Sequence, residues 1–332
     1  MKWLSLQAMN ALDLFSELGR RMERFGEDAP TREVVRRACA ANGWFMPHEV
    51  VRAVRVLGRR MLRPELLAAW LERYPAAAAP RRVLVVMAGN IPLVGFFDLL
   101  CVVAAGHRCL VKPSSKDRVL TEYVLEQLRA IDPAVALSFY DEGEPVDALI
   151  ATGGDNAVRH FRTRYAGLPA LLRGHRQSVA VLSGLETPEQ LSLLADDIWA
   201  YSGLGCRNVS LVWMPEGYEL RLEMPEMNPK YVNNYLRERA LLAMTGHPFV
   251  DLGAAVAVGQ REFPVALSRI ACARYRSTEE VVRWLAAHDE ELQCVVAECV
   301  DHSRRVGFGC AQSPGLTDWP DDRDTMAWLA AL

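Results

Sequence analysis

The sequence predicts an α/β protein: two doubly wound units, each a parallel sheet with helices, behind a helical amino-terminal region. Three observations predict it. From about residue 81 onward, short β-branched and aliphatic runs alternate with helical spacings. That alternation falls into two blocks, with the change near residues 170–178. Before it, apolar residues recur every three or four positions and no strand pattern is legible. The expected divisions are 1–80 for the helical region, 81–175 for a dinucleotide-binding α/β domain and 176–332 for a catalytic α/β domain with the C-terminal segment. A length of 332 residues suits such a division, at roughly 150 per domain.

The elements follow in order. Leu4, Ala8, Leu12 and Leu14 to Leu18 keep helical spacing, as does the run from Val50 to Leu71. Pro30, Pro47 and Pro64 punctuate this region, and Pro47 suits a helix start with Glu49 in its first turn. Arg52, Arg55, Arg59, Arg60 and Arg63 read as a solvated helical face. An alanine-rich stretch from Tyr74 to Pro80 then links to the first block. Its strands are Arg82–Ala88, Arg108–Lys112, Val135–Phe139 and Ala148–Thr152, and its helices Pro92–Ala105, Lys116–Ala130 and Asp155–Tyr165. The second block places strands at Ser178–Ser183, Asn208–Met214, Val250–Val258, Pro264–Ala273 and Gln293–Ala297. Its helices are Thr187–Tyr201, Lys230–Met244 and Thr278–His288.

Composition narrows the function. A 51% hydrophobic share, 24% charged residues and a net charge of -3 describe a chain with a large core and no basic footprint for nucleic acid. The stretch from Val83 to Gly106 carries no Lys or Arg and one acid, Asp98, but Pro92 interrupts it, so no membrane span is expected. Eight scattered cysteines without a CxxC, and an opening without a signal-peptide pattern, indicate free thiols in the cytoplasm. No metal site is expected, because Cys294, Cys299 and His302 lack a fourth ligand.

Four segments carry chemistry. Gly89-Asn90-Ile91-Pro92 follows the strongest strand, where α/β folds place ligands, and an Asn amide there suits a developing oxyanion. The plainer reading is a turn-forming Asn. Lys112-Pro113-Ser114-Ser115-Lys116 holds two of only four lysines among 38 basic residues, again at a strand end. Such a lysine suits ribose hydroxyls or a phosphate; otherwise this is a basic loop with Ser115 as a helix N-cap. Thr152-Gly153-Gly154 ends a strand and opens a helix, where glycines let a diphosphate approach. Finally, Gly203-Leu204-Gly205-Cys206-Arg207 sets a cysteine on a glycine turn beside a cation that favours thiolate. Cys310, in Gly307-Phe308-Gly309-Cys310, is the second nucleophile candidate, whereas Cys101, Cys109, Cys272, Cys294 and Cys299 sit in apolar runs.

Taken in this order, the four segments resemble the aldehyde dehydrogenase superfamily, and within it the acyl-CoA reductase (LuxC) branch. The branch is carried by GNIPLVGFFDLL, GHRCLVKPSSKD, RQSVAVLSG, YSGLGCRNVSLVWMP and FGCAQSPGLTDW, which span roughly residues 83–318. The resemblance implies an aldehyde dehydrogenase-like fold and the reduction of an acyl thioester to an aldehyde. Cys206 is then the nucleophile and Asn90 the oxyanion donor. Lys112, Pro113, Ser114 and Ser115 bind the adenosine ribose, and Thr152, Gly153 and Gly154 the diphosphate. The substrate is acyl-CoA or an acyl-carrier protein. The resemblance further implies a homo-oligomer and a protein partner that delivers the acyl group or consumes the aldehyde.

Two departures sharpen this. Hydrolytic relatives carry a water-activating Glu where this chain reads Arg173-Gly174-His175-Arg176-Gln177-Ser178, without an acid, which disfavours hydrolysis. Oxidative relatives carry a Glu where Ser115 stands, so NADPH is expected as the cofactor, with NADH also admitted. The competing readings are a catalytically degenerate subunit that binds a partner, a thiol acyltransferase that never reduces, and an acyl-phosphate reductase. Tyr231-Val232-Asn233-Asn234-Tyr235 also echoes the branch, as either a substrate contact or core packing.

Overall fold

The computed structural model describes residues 9–75 and 77–332, which form two compact units. The first runs to Gly174 and adds Gly315–Trp319 and Arg323–Leu332; the second comprises His175–Pro314 and Pro320–Asp322. Leu4 and Ala8 lie outside the described residues.

The first unit opens with four helices: α1 (Ala11–Glu23), α2 (Ala29–Ala41), α3 (Pro47–Met61) and α4 (Pro64–Leu71). Asn10 and Asp28 cap α1 and α2 through side-chain oxygens that accept N–H groups of Asp13 and Thr31. Pro30, Pro47 and Pro64 each stand within the first two positions of a helix, where a missing N–H costs nothing. That explains two differences from the sequence reading. Pro30 opens a helix that was not anticipated. The run Val50–Leu71 divides into two helices because Pro64 holds Arg63 extended, at ψ 136°. Within the arginine face, Arg55 Nε donates to Phe25 O at 2.8 Å and Arg63 pairs with Glu23.

The sheet of this unit contains β1 (Arg82–Val86), β2 (Arg108–Lys112), β3 (Leu137–Phe139), β4 (Ala148–Thr152) and β5 (Ala170–Arg173), with α5 (Phe96–Ala104), α6 (Arg118–Ile131) and α7 (Asp155–Arg164) between them. All pairs are parallel, in the order β3-β2-β1-β4-β5. The strand residues alternate faces. Val83, Val85, Cys109, Val111, Ala148 and Ile150 join one core with α1–α6, while Leu84, Leu110, Leu149 and Ala151 pack with Phe161 and Tyr165 of the α7 region. The helical region and the sheet therefore share a core.

The second unit carries a seven-stranded sheet in the order β12-β11-β6-β7-β10-β9-β8. Its elements in chain order are β6 (Gln177–Val181), α8 (Pro188–Trp199), β7 (Val209–Pro215), α9 (Pro229–Met244), β8 (Val250–Asp251), β9 (Val256–Gly259), β10 (Arg269–Tyr275), α10 (Thr278–Ala287), β11 (Leu292–Ala297) and β12 (Arg305–Val306). Only β8 and β9 pair antiparallel. The expected single strand Val250–Val258 is this hairpin, because Gly253 turns the chain at φ 95° and Leu252 N–H bonds Ala255 O. The expected strand from Pro264 begins only at Arg269, past a stretch whose proline has no ladder donor.

The last helix, α11 (Thr325–Ala330), belongs to the first unit. Leu316, Met326 and Leu329 are buried in that unit's core, with Trp319 against Trp70, Tyr74 and Phe97. The sequence reading placed these residues with the second domain. Their apolar side chains are instead what closes the first.

Candidate active site

In the first unit, the strands leave the sheet at their carboxyl ends into three of the four predicted segments. The strand order reverses between β1 and β4, the crevice position where open α/β sheets bind ligands. The turn after β1 carries Asn90, which is exposed. Gly89 is required there: a Cβ would lie 2.7 Å from Cβ and Oγ of Ser114. Asn42 Nδ2 donates to Gly89 O at 3.2 Å, and Leu93, at φ 54°, donates its N–H to Asp117 Oδ2 at 2.7 Å. Desolvation pushes the Asp117 carboxyl up to about 8, against the pull of the Leu93 N–H. The Asn90 turn and the Lys112 loop are thus interlocked.

Lys112 ends β2 with its Nζ 2.9 Å from Glu142 Oε1 and over the Tyr140 ring. The ion pair holds the Glu142 carboxylate below its ordinary range. This carboxylate was missed because it reaches Lys112 from the segment after β3, thirty residues along the chain. Ser115 is exposed and is not the helix cap, a place taken by Asp117. Thr152, Gly153 and Gly154 lie at the exit of β4, the neighbour of β1. A Cβ on Gly154 would meet open space, and α7 begins there without a side-chain cap. Reversed strand order, an uncapped helix start at a bare glycine and a lysine with an acid at the β2 exit fit a dinucleotide.

Of the acid-free stretch Arg173–Ser178, Arg173 is buried and donates through Nη2 to Asp98 Oδ1 at 2.7 Å and Thr325 Oγ1 at 2.8 Å. Its contacts are with the first unit's core.

In the second unit, α8 ends at Trp199, and Tyr201 and Ser202 take φ of 54° and 56°. Strain of this kind gathers where function over-determines the backbone. Asn208 supplies the restraint. Its Oδ1 accepts the Gly205 N–H at 2.8 Å, and its Nδ2 reaches the carbonyls of Asp197, Ile198 and Ala200. Ser178 Oγ donates to Cys206 O at 2.8 Å. Cys206 is left exposed at the crest of this loop.

Arg207 acts on the Cys206 thiol in the expected direction, lowering it, but burial outweighs that cation. Its Nε is bound to Ala311 O at 2.6 Å. Desolvation pushes the Cys206 thiol up to about 11, and Arg207 lowers it only in part. In the free protein the neutral thiol therefore dominates near pH 7. The rate of Cys206 alkylation by iodoacetamide should rise about tenfold per pH unit from 7 to beyond 9; a plateau below pH 8 would show a thiolate already formed.

Cys310 is also exposed, on a loop whose Gly309 and Ala311 N–H groups donate to buried Asp197 at 2.7 and 3.0 Å. Cys101, Cys109 and Cys294 are buried, and burial raises the first two thiols. Tyr231 is buried and accepts the Trp199 Nε1–H at 3.0 Å, while Tyr235 donates to Asp251 at 2.7 Å. Among the described residues, no cluster of three His, Cys, Asp or Glu side chains could hold a metal ion, and no helix is long and apolar enough to cross a membrane.

Comparison with known proteins follows the same lines. An oxidoreductase from Marinobacter aquaeolei superposes with a TM-score of 0.67 at 13% identity, covering 94% of this chain and 81% of its own. Propionaldehyde dehydrogenase from Rhodopseudomonas palustris, solved with propionyl-CoA, gives 0.59 at 14%, covering 87% and 76%. An engineered glycolyl-CoA reductase with bound NADP+ gives 0.58 at 12%, covering 88% and 79%. These likenesses show an aldehyde dehydrogenase fold. Among curated proteins, none matches the sequence. The family profile described as acyl-CoA reductase (LuxC) matches residues 44–238, which take in the Asn90 turn, the Lys112 loop, the Gly153 helix start and the Cys206 loop. Since that is more than half of the chain, the protein belongs to the acyl-CoA reductase (LuxC) family.

Proposed function

We propose that this protein reduces an acyl thioester, carried on coenzyme A or a carrier protein, to an aldehyde through an acyl group held on Cys206, with NADPH as reductant and NADH also admitted. The observation that carries this reading is Cys206 itself: an exposed residue on a strained, Asn208-clamped loop that desolvates its thiol, in an acyl-CoA reductase family member without an acid in residues 173–178.

Cys206 Sγ attacks the thioester carbonyl, its proton goes to the departing thiol, and the acyl group remains as an enzyme thioester. Asn90 and the Cys206 N–H donate to the oxyanion during that attack. Lys112 and Ser115 hold the adenosine ribose on a loop shaped by Pro113 and Ser114, and Thr152, Gly153 and Gly154 receive the diphosphate. A bound dinucleotide would supply the hydride to the acyl carbonyl; the C–S bond to Cys206 then breaks, with a proton from solvent returning the thiol as the aldehyde leaves. Residues 173–178 hold no acid to activate water, which disfavours hydrolysis and leaves transfer to a thiol or reduction as the routes for the acyl group. Eight free thiols suit a reducing cytoplasmic setting.

The test is oxidation of NADPH and of NADH with a panel of acyl-CoA chain lengths, beside detection of the aldehyde. Turnover with aldehyde formed is the expected result. Silence across CoA and carrier-protein thioesters, with no acyl mass on Cys206, would overturn the reading.

Glu142 bears on the choice of dinucleotide, because a carboxylate beside Lys112 repels a 2′-phosphate and accepts a ribose hydroxyl. Glu142→Gln is expected to shift the ratio of NADPH to NADH affinity about tenfold toward NADPH, roughly the effect of 1.4 kcal/mol. Quenching of bound-dinucleotide fluorescence reads this directly, and an unchanged ratio would take Glu142 out of the site.

A further inference from the structure

Asp117 stands at the N-cap of α6, where an aspartate ordinarily accepts N–H bonds from the first turn of its own helix. Its side chain makes no such bond. The carboxyl turns to another segment instead, where Oδ2 accepts the Leu93 N–H at 2.7 Å, and the residue is only 4% exposed. Burying a carboxyl this way costs stability, and forgoing the cap costs more. What is gained is local: Leu93 keeps a φ of 54°, a conformation that persists in a bulky residue only when its surroundings enforce it. A second contact closes the same loop on the same turn, with Gly89 against the Ser114 side chain. Between these two clamps lies Asn90, exposed.

We infer that Asp117 is a positioning residue for the reaction: it fixes the Gly89–Leu93 turn so that the Asn90 amide is presented in one orientation, and it ties that turn to the Lys112–Lys116 loop. This rests on the reading of Asn90 as the oxyanion donor. It assigns work to a buried acid that neither touches substrate nor caps its helix.

The experiment follows acylation of Cys206 by an acyl-CoA that the wild type turns over, by intact mass, in single-turnover mode and without dinucleotide. Asp117→Ala is expected to slow acylation about 10²-fold, the scale of a misplaced catalytic group, with an unchanged half-saturating acyl-CoA concentration. Asp117→Asn retains an oxygen that accepts the Leu93 N–H and should stay within about threefold of wild type. In an Asn90→Ala background, Asp117→Ala should cost less than about threefold, because both changes remove one interaction. A merely structural role would lower the acylatable fraction and the melting temperature without this non-additivity.

The outcomes separate. If Asn90→Ala alone costs less than about threefold, the oxyanion reading fails and this inference with it. If Asn90→Ala shows its full loss and Asp117→Ala adds its own on top, the positioning role alone is overturned. Should Asp117→Ala not fold, Gly89→Ala, whose Cβ would push Ser114 and the turn apart, takes its place under the same criterion.

Discussion

Cys206→Ala is expected to abolish acylation and to reduce dinucleotide-dependent turnover by at least about 10⁴-fold, as loss of a nucleophile does elsewhere. The fold should survive the change. The loop is held by Asn208 and by Ser178 through backbone atoms, and neither bond involves the Cys206 sulfur. Dinucleotide affinity should also be retained, since Cys206 is not among the residues proposed to bind it. The measurement is NADPH oxidation with the best acyl-CoA, beside intact mass of the trapped acyl-enzyme. Substantial turnover in the variant would move the nucleophile elsewhere. Cys310 would be examined first, because its loop receives the Arg207 side chain through Ala311 O and is itself solvent-open.

Asn90→Ala should lower the acylation rate by about 10²–10³, the usual effect of deleting one oxyanion donor, while leaving the acyl-CoA concentration for half-saturation nearly unchanged. The split between rate and affinity carries the interpretation. A donor aimed at the developing charge does little for the ground-state carbonyl, so a variant that loses affinity instead would make Asn90 a substrate contact. A rate loss below about threefold would leave it only the shaping of the turn.

Much of the fold was legible in the sequence, for a physical reason. Strands such as Arg82–Val86 and Arg108–Lys112 are buried on both faces and so read as unbroken apolar runs. Short edge elements have no such signature. The two-residue strands β8 and β12 and the four-residue β5 are set by tertiary pairing, and propensity over so few residues says little. Pro30 reads in sequence only as punctuation, because proline marks a helix start and a helix stop alike; the Asp28 cap makes it a start.

The site divides the same way. The proposed residues Asn90, Lys112, Gly153 and Cys206 could be singled out from sequence because strand ends followed by Gly, Asn or Lys are local patterns. Glu142, Asp117 and Asn208 could not, because their partners are chosen in space. Nothing near Glu142 in the chain announces Lys112, and Asp117 looks like an ordinary helix cap until its bond to Leu93 is seen. Arg207 shows a partner that sequence adjacency did reveal, with a competing effect that it did not. Adjacency suggested that it would activate Cys206, yet desolvation at the loop outweighs that cation.

The return of residues 315–319 and 323–332 to the first unit bears on how the protein is made. A nascent chain that emerges from the ribosome in order presents the first unit's sheet and helices early, but without the Leu316, Met326 and Leu329 side chains that finish their core. Until the whole second unit has been synthesised, that apolar surface has no intramolecular cover. The interval is one of exposure to chaperones and to aggregation. The unit that carries the proposed dinucleotide site is then the first to be translated and cannot be the first to be complete.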